Sequence, residues 1–321
     1  MSDARVATAR DEIPVYFPVG ADQTFGILTR PTTEENGICV IHLAGKGPSI
    51  ATVGRGRMSP LLARRLASLG FHSFRTEYSG TGDSFGPEWQ WSITPPPTED
   101  VRAALRWLRG QGMTHFVLAG TCGGSRVALE AGRHEDGVVG VVLLLPPIRD
   151  TEPWRRYDTL PTRHLLARLL KRRHLAALRD KGRRRMYLER ARTDILRNLP
   201  GKVRRGSPNS NGRGNGDGTT REGAEDPMYQ WIGPGALHGL EDLVAKDIPT
   251  LIFFGDEDND FRDWEQATKG PAGPVLERAG DLIQVETVGG RYYNTPSTVM
   301  SQRIAPAIAA MVDRTGSGAR P

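Results

Sequence analysis

The stretch Phe116-Val117-Leu118-Ala119-Gly120-Thr121-Cys122-Gly123-Gly124 decides the fold. Its first four residues form an apolar run typical of a buried strand, and residues 125–131 show the spacing of an amphipathic helix. Between the two lies the pattern G-x-C-x-G, whose glycines permit a tight turn. The sequence therefore predicts a strand, a sharp turn and a helix, with Cys122 at the tip of the turn.

Further strands and helices alternate along the chain on both sides of this turn. Predicted strands cover residues 13–19, 24–29, 38–43, 71–77, 137–145, 248–254 and 282–288, and predicted helices cover residues 58–69, 98–108 and 299–312. The first two strands are separated by Gly20-Ala21-Asp22, which predicts an antiparallel hairpin. Strands that alternate with helices predict a mostly parallel, twisted sheet with helices on both faces.

The composition limits the class of protein. The chain has 321 residues, enough for one large α/β domain with an insertion or for two small domains. Its two cysteines, Cys39 and Cys122, are too few for a disulfide framework or a zinc site, so we expect free thiols in a reducing compartment. Residues 1–10 lack the apolar core of a signal peptide, and the longest apolar stretch, 138–145, is far shorter than the roughly 20 residues of a membrane span. We therefore expect a cytoplasmic protein that uses no metal and no cofactor.

Charge divides the chain into a core and an insert. Residues 155–205 contain 18 lysines and arginines against four acidic residues, a net charge of +14 in a chain whose total is +6. We expect residues 1–145 and 235–321 to form the two parts of a core domain, and residues 146–234 to form a basic helical cap. Residues 201–226 are rich in glycine, asparagine, serine and arginine and almost without apolar side chains, which predicts a disordered loop.

Five segments of the chain, in their order and spacing, are similar to those of a known superfamily. They are His42-Leu43-Ala44-Gly45, residues 62–71, residues 75–84, the turn around Cys122, and Phe253-Phe254-Gly255-Asp256-Glu257-Asp258. Together they make the chain resemble the α/β-hydrolase superfamily over nearly its whole length outside the insert, and most closely its acyl-hydrolase and serine-aminopeptidase-like branch. The resemblance implies the α/β-hydrolase fold with a helical cap insertion. It also exposes a departure, because these enzymes usually have G-x-S-x-G at the turn.

The resemblance implies roles for single residues. Cys122 takes the position of the nucleophile, and the N–H group of Gly123 takes that of one oxyanion-hole donor. A second donor is expected from the loop after Leu43, at Ala44 or Gly45.

The other two positions of the implied triad match unequally. Asp258, three residues after Gly255 at a strand end, takes the position of the acid. Tyr292 falls after the last strand, where the superfamily has its histidine, and the last histidine of this chain is His238. The implied triad is therefore Cys122, Asp258 and Tyr292, and it contains no imidazole.

Sulfur can act where oxygen would need a histidine. A serine hydroxyl barely ionises, whereas a free cysteine thiol has a pKa of about 8.5, which a helix N-terminus or a nearby cation lowers. Cys122 precedes a helix that carries Arg126 one turn on, so we expect a thiolate at neutral pH. A thioester expels a thiolate, which needs little help from an acid, and a second thiolate can resolve an acyl-enzyme without a general base. These considerations favour acyl transfer between thiols, or slow thioester cleavage, through Cys122. In this respect the chain is similar to the aminoacyl shuttles of nonribosomal peptide assembly lines, whereas dienelactone-hydrolase-like proteins combine a cysteine turn with a histidine.

The basic cap indicates the kind of partner. Acyl carrier proteins are acidic, and phosphopantetheine and coenzyme A carry phosphate, so a cap with a charge of +14 would attract either. The expected substrate is an acyl thioester carried by an acidic carrier protein or by coenzyme A. The arginines would also suit a solvated face or contact with an anionic membrane. Nucleic acid is not expected, because no aromatic residues are interleaved with them.

Two other functions stay open on the sequence alone. In the first, the protein is a conventional ester hydrolase whose base is recruited from His42 or from the cap. In the second, it is a catalytically silent binding protein in which Cys122 is inert, Tyr292 fills space and Asp258 only caps a loop.

Overall fold

The computed structural model describes residues 11–45, 52–86, 95–150 and 231–314, all of which belong to one compact unit. The predicted cap, residues 146–234, falls outside the described residues except at its two ends. The loop predicted to be disordered, residues 201–226, lies wholly outside them. The cap and its boundaries therefore stay predictions.

The described residues form strands and helices that alternate along most of the chain. The strands are β1 (Glu12–Val19), β2 (Asp22–Thr29), β3 (Ile38–Leu43), β4 (His72–Thr76), β5 (His115–Thr121), β6 (Val138–Leu144), β7 (Thr250–Gly255) and β8 (Ile283–Val288). The α-helices are α1 (Met58–Ala67), α2 (Glu99–Gly110), α3 (Gly123–His134), α4 (Pro234–Ala245), α5 (Asn259–Thr268), α6 (Gly273–Ala279) and α7 (Ser297–Arg314). Short 3-10 turns at Arg55–Arg57, Gly280–Leu282 and Tyr292–Asn294 connect some of them.

The strands form a single eight-stranded sheet in the order β1-β2-β4-β3-β5-β6-β7-β8. The pairs β1–β2 and β2–β4 are antiparallel, and every other pair is parallel. The predicted hairpin and the predicted mostly parallel sheet are thereby confirmed. Because the parallel strands all point the same way, the loops that follow β3, β5, β7 and β8 meet at one edge of the sheet.

Helices cover both faces of this sheet, as predicted. A Cβ on Gly140 would meet the side chain of Met311 in α7, whereas the next side chain of β6, Val141, points towards Gly132 in α3. Successive residues of a strand point to opposite faces, so α7 and α3 lie on opposite sides of β6. Strands covered on both faces must be apolar throughout, and every residue of β3 and β7 is buried.

The helices α4, α5 and α6 did not follow from the sequence pattern. Buried positions in α4 include Ala236, Leu237 and Leu240, which spread over a wide face and blur the helical period. The helix α6 has seven residues and begins at Gly273 and Pro274, a pair that is locally typical of a turn.

The two cysteines lie in different surroundings, and both are free thiols. Cys39 is fully buried in β3, and burial raises the pKa of its thiol, which makes it inert. Cys122 is only partly buried. Among the described helices, none is long and apolar enough to cross a membrane.

Candidate functional site

Cys122 occupies a strained turn between β5 and α3. Its backbone has φ 52° and ψ −122°, a conformation that residues other than glycine rarely adopt. Two hydrogen bonds hold it there: its N–H donates to the Leu144 carbonyl at 2.8 Å, and its carbonyl accepts from the Ser125 N–H at 2.9 Å. The predicted strand–turn–helix is therefore present, and the turn places Cys122 at the N-terminal end of α3.

Glycines around this turn allow three backbone segments to approach each other. A Cβ on Gly124 would overlap the carbonyls of Leu43 and Ala44, and a Cβ on Gly120 would overlap the carbonyl of Gly124. A Cβ on Gly45 would lie 2.8 Å from the Gly123 nitrogen. The loop after β3 is thus packed directly against the start of α3.

This packing brings together the two segments predicted to supply the oxyanion hole. The Gly123 N–H hydrogen-bonds to the Cys122 sulfur, and the segment of Ala44 and Gly45 lies beside it. The Ala44 carbonyl accepts a hydrogen bond of 3.0 Å from the Tyr78 hydroxyl, which fixes the orientation of that peptide. The two segments are therefore adjacent, and their role as an oxyanion hole stays a prediction.

A cavity of about 80 Å³ opens over Cys122. Its walls come from the ends of β3, β5 and β6, the 3-10 turn at Arg55–Arg57, the helix α1, and the segment from Tyr292 to Met300. No acidic residue is among the described residues that line it. Ser59, Thr295 and Ser297 supply hydroxyl groups, and Arg55 supplies a cationic side chain.

Burial raises the pKa of the Cys122 thiol. Hydrogen bonds from the Gly123 N–H and the Tyr293 hydroxyl act in the lowering direction, and the nearby charge of Asp260 adds to the rise. The expected thiolate at neutral pH is therefore not what the structure indicates. Desolvation outweighs these two hydrogen bonds, so the protonated thiol is favoured at neutral pH.

Arg126 does not activate the thiol as the sequence suggested. Its buried guanidinium forms an ion pair of 2.5 Å with Asp150, and Asp150 also accepts a hydrogen bond of 2.9 Å from the Gly235 N–H. The charge of Arg126 is thus neutralised by a carboxylate beyond the end of β6. Through its bond to Gly235, the Asp150 carboxylate also joins the two segments of the described structure that flank residues 151–230.

Tyr293, which the sequence analysis did not select, is the tyrosine that contacts the sulfur. Its hydroxyl hydrogen-bonds to Cys122, and burial raises its own pKa, so it keeps its proton. Tyr292 also lines the cavity, but its hydroxyl is buried and has no hydrogen-bond partner among the described residues. In the 3-10 turn Tyr292–Asn294, successive side chains diverge by about a third of a turn, which separates these neighbours.

Asp258 holds the loop that carries both tyrosines. Its Oδ2 accepts hydrogen bonds from the Tyr292 N–H at 3.0 Å and from the Gly255 N–H at 3.1 Å. Asp258 was predicted to orient a catalytic side chain. Its carboxylate instead accepts a hydrogen bond from the backbone N–H of Tyr292, the residue at the position where the superfamily has histidine.

His42 is poorly suited to act as a base. It is buried in β3, and its Nε2 lies 2.5 Å from the Ser73 hydroxyl oxygen. Burial, with the charge of Arg75 as a second cause, lowers the pKa of His42 to about 3. An imidazole with so low a pKa has little affinity for a proton at neutral pH, which argues against His42 as the recruited base although it lines the cavity.

The described residues contain no cluster of three or more histidine, cysteine, aspartate or glutamate side chains that could hold a metal ion. The described residues of this cavity supply a thiol, tyrosine, serine and threonine hydroxyls, backbone N–H groups, an arginine and the weakly basic imidazole of His42.

No protein-family model matches the chain, and no curated protein matches it. Solved structures do. An esterase from Pyrococcus furiosus superposes with a TM-score of 0.56 at 12% identity, covering 96% of this chain and 94% of the esterase. The α/β hydrolase GrgF from Penicillium sp. sh18 gives a TM-score of 0.56 at 13% identity, covering 94% of this chain and 98% of GrgF. A proline iminopeptidase from Mycobacterium smegmatis gives 0.52 at 16% identity, covering 94% of this chain and 98% of the peptidase. These similarities, together with the sheet order, show that this chain has the α/β-hydrolase fold.

Proposed function

We propose that this protein accepts an acyl group from a thioester onto Cys122 and passes it to another thiol or, slowly, to water. One observation carries the proposal: a cysteine occupies a strained turn in the wall of a cavity, beside a backbone N–H and a tyrosine hydroxyl. Strained residues of this kind are concentrated at functional sites.

The chemistry of the leaving group supports a thioester substrate. The Cys122 thiolate attacks the carbonyl carbon, a new C–S bond forms, and the C–S bond to the departing thiol breaks. The departing thiolate takes up the proton that Cys122 released, so one thioester and one thiol yield another thioester and another thiol. An ester or amide would need an acid to protonate its leaving group, and none of the described lining residues is a ready acid at neutral pH.

The backbone around Cys122 suits the tetrahedral intermediate. The Gly123 N–H lies beside the sulfur, and the segment of Ala44 and Gly45 packs against it. Donors fixed in advance at this point would stabilise the negative oxygen without reorganisation.

Tyr293 would favour the thiolate without removing its proton. Its hydroxyl donates to the sulfur, and this hydrogen bond opposes the effect of burial on the thiol pKa. Since Tyr293 keeps its own proton, hydroxide from bulk water must remove the proton of Cys122, and the acceptor must arrive as a thiolate. The proposal therefore predicts a slow reaction at neutral pH that becomes faster as the pH rises.

The basic segment supports a carrier-bound substrate. Residues 155–205, with their net charge of +14, would attract an acidic carrier protein or the phosphates of coenzyme A. This part of the proposal rests on the sequence.

The test is the intact mass of the protein after incubation with a panel of acyl-pantetheine and acyl-coenzyme A thioesters. The wild-type protein should gain the mass of one acyl group. Cys122→Ala and Cys122→Ser should both gain none, because no imidazole activates a serine hydroxyl at this position. Undiminished acyl transfer by Cys122→Ser would refute the thiol-based mechanism and favour a conventional hydrolase with a recruited base.

A catalytically silent binding protein is the second candidate. It is favoured by the raised pKa of Cys122 and by the unsatisfied hydroxyl of Tyr292. Acyl compounds that bind the cavity but leave no adduct, even at alkaline pH where the thiolate is abundant, would select this candidate over acyl transfer.

A further inference from the structure

Arg55 lies one tyrosine ring away from the reactive sulfur. Its guanidinium carbon is 4.6 Å from the centre of the Tyr293 ring, and the hydroxyl of that ring hydrogen-bonds to Cys122. Arg55 also lines the cavity over Cys122. A positive charge is therefore held beside the site at which an acyl group would be attached.

This charge has no counterion in the described part of the chain. Arg55 forms no salt bridge there, and no acidic residue is among the described residues that line the cavity. The acid whose charge reaches Cys122, Asp260, belongs to α5 and is not one of the lining residues. Within the described part of the chain, no ion pair and no lining acid engages the Arg55 guanidinium, so its N–H groups can serve an anionic ligand.

The backbone that carries Arg55 is held from two sides. On one side, Thr52 donates to the Glu77 carboxylate at 2.6 Å and accepts from the Arg75 guanidinium at 2.5 Å. On the other, the Ser297 hydroxyl donates to the Arg55 carbonyl at 3.3 Å. An arginine on a fixed backbone, with its guanidinium held against the Tyr293 ring, loses less entropy when it binds a ligand.

The contact with Tyr293 also limits how Arg55 can meet a ligand. The guanidinium carbon lies over the ring, so the N–H groups that point away from the ring are the ones a ligand can reach. Those groups form the planar fork that pairs with a carboxylate through two parallel hydrogen bonds.

We propose that Arg55 binds a carboxylate at the far end of the acyl chain, so that the favoured substrates are thioesters of short dicarboxylic acids. This inference rests on the proposed function, since it defines the acyl group that Cys122 would accept. The cavity as the described residues bound it, about 80 Å³, and the placement of Arg55 beside Tyr293 both suit a short chain. Arg55 is thus a specificity-determining residue rather than a participant in bond making.

Alkylation tests this charge without requiring acyl transfer. Iodoacetate and iodoacetamide both alkylate the Cys122 sulfur, and they differ in that iodoacetate carries a carboxylate. We would measure the rate of each at the Cys122 peptide, at one alkaline pH and low ionic strength, and take the ratio so that changes in thiol reactivity cancel. Arg55→Met should lower the ratio of iodoacetate to iodoacetamide by about three- to fivefold.

Arg57 provides a matched control, because it is exposed like Arg55 and lies two residues away, but does not line the cavity. Arg57→Met should leave the ratio at the wild-type value. An unchanged ratio in Arg55→Met would overturn the inference, because Arg55 would then have no effect on the anionic reagent. An equal fall in Arg57→Met would also overturn it, because the effect would then come from the general positive charge of this region. A ratio that falls only in Arg55→Met upholds the anion site even if no acyl adduct ever forms. The alkylation ratio thus tests the anion site, and the acyl adduct tests the proposed function.

A second comparison separates a carboxylate from a phosphate. Succinate and inorganic phosphate would be added as competitors of iodoacetate labelling at equal ionic strength. Protection by succinate that is lost in Arg55→Met supports the inference, and protection by phosphate alone overturns it.

Discussion

The hydroxyl of Tyr293 is hydrogen-bonded to the sulfur of Cys122. This contact differs in kind from a cysteine–histidine pair, because a tyrosine with a raised pKa can donate a hydrogen bond to a thiolate but cannot take its proton. The pair therefore stabilises the reactive form of the nucleophile without generating it. For that reason we expect a thiol that reacts slowly at neutral pH and gains reactivity as hydroxide becomes available.

Removal of the Tyr293 hydroxyl should make Cys122 less reactive. Tyr293→Phe deletes the hydrogen bond to the sulfur, which raises the thiol pKa further and lowers the thiolate fraction. Alkylation by iodoacetamide near neutral pH should slow by about tenfold, as expected for loss of a hydrogen bond to a charged group. Tyr292→Phe is the control, since its hydroxyl has no partner in the described structure, and the same rate should hardly change.

Tyr292→Phe should stabilise the protein. The Tyr292 hydroxyl is buried without a hydrogen-bond partner among the described residues, so folding costs its desolvation and regains nothing. The free energy of unfolding, measured by urea denaturation, should increase by about 1 kcal/mol. A decrease of that size would show that the hydroxyl has a partner outside the described residues, such as a bound water.

The alkylation rate of Cys122 should depend steeply on pH. Burial raises the pKa of this thiol above the ordinary value of about 8.5, so the thiolate fraction grows about tenfold for each pH unit below that pKa. The rate with iodoacetamide should therefore still be rising at about pH 9. A plateau reached near pH 7 would mean that the helix N-terminus lowers the pKa after all, and it would restore the expectation drawn from the sequence.

A side chain at Gly124 should disturb the turn. Its Cβ would overlap the backbone carbonyls of Leu43 and Ala44, which cannot move aside as a flexible side chain would. Gly124→Ala should lower the free energy of unfolding by about 3 kcal/mol in urea denaturation. Gly110→Ala is the matched control, because nothing lies within 4 Å of its added Cβ, and it should be neutral or slightly stabilising. Equal effects from both changes would show that the close approach is absent.

The ion pair between Arg126 and Asp150 should matter for stability more than a surface pair does. Asp150→Asn leaves the buried Arg126 guanidinium without a counterion, and urea denaturation should show a loss of about 3 kcal/mol. Asp242→Asn removes one of the two carboxylates paired with Arg133, at a more exposed site where Glu130 still pairs with the arginine, and should cost less than about 1 kcal/mol. If the two losses were similar, the buried pair would be much better solvated than the structure indicates.

Local patterns in the sequence predicted the sheet and the turn. The apolar run before Cys122 and the glycines around it dictate a buried strand and a close approach, and both are present. The position of Asp258 after Gly255 likewise followed from a strand end. The strand, the turn and the position of Asp258 each depend on residues that are adjacent in the sequence, so local patterns are enough to predict them.

The partners of Cys122 could not be predicted in the same way. Whether Tyr292 or Tyr293 faces the sulfur depends on the rotation of a 3-10 turn, and adjacent residues share every signal that a sequence carries. The pairing of Arg126 with Asp150 joins residues 24 positions apart across β6, so the sequence offered Arg126 as a free cation. The direction of the Cys122 pKa was mispredicted for a related reason, since the degree of burial is set by the packed loops rather than by the helix that begins after this residue.

Peptide mapping after incubation with a short acyl-pantetheine thioester is the most direct test of the central claim, that sulfur at this turn accepts an acyl group without an imidazole. The account predicts one acyl adduct on the peptide that contains Cys122, formed faster at alkaline than at neutral pH and removed by hydroxylamine as a thioester is. An adduct on any other residue, or an unmodified Cys122 at alkaline pH with excess thioester, would contradict it.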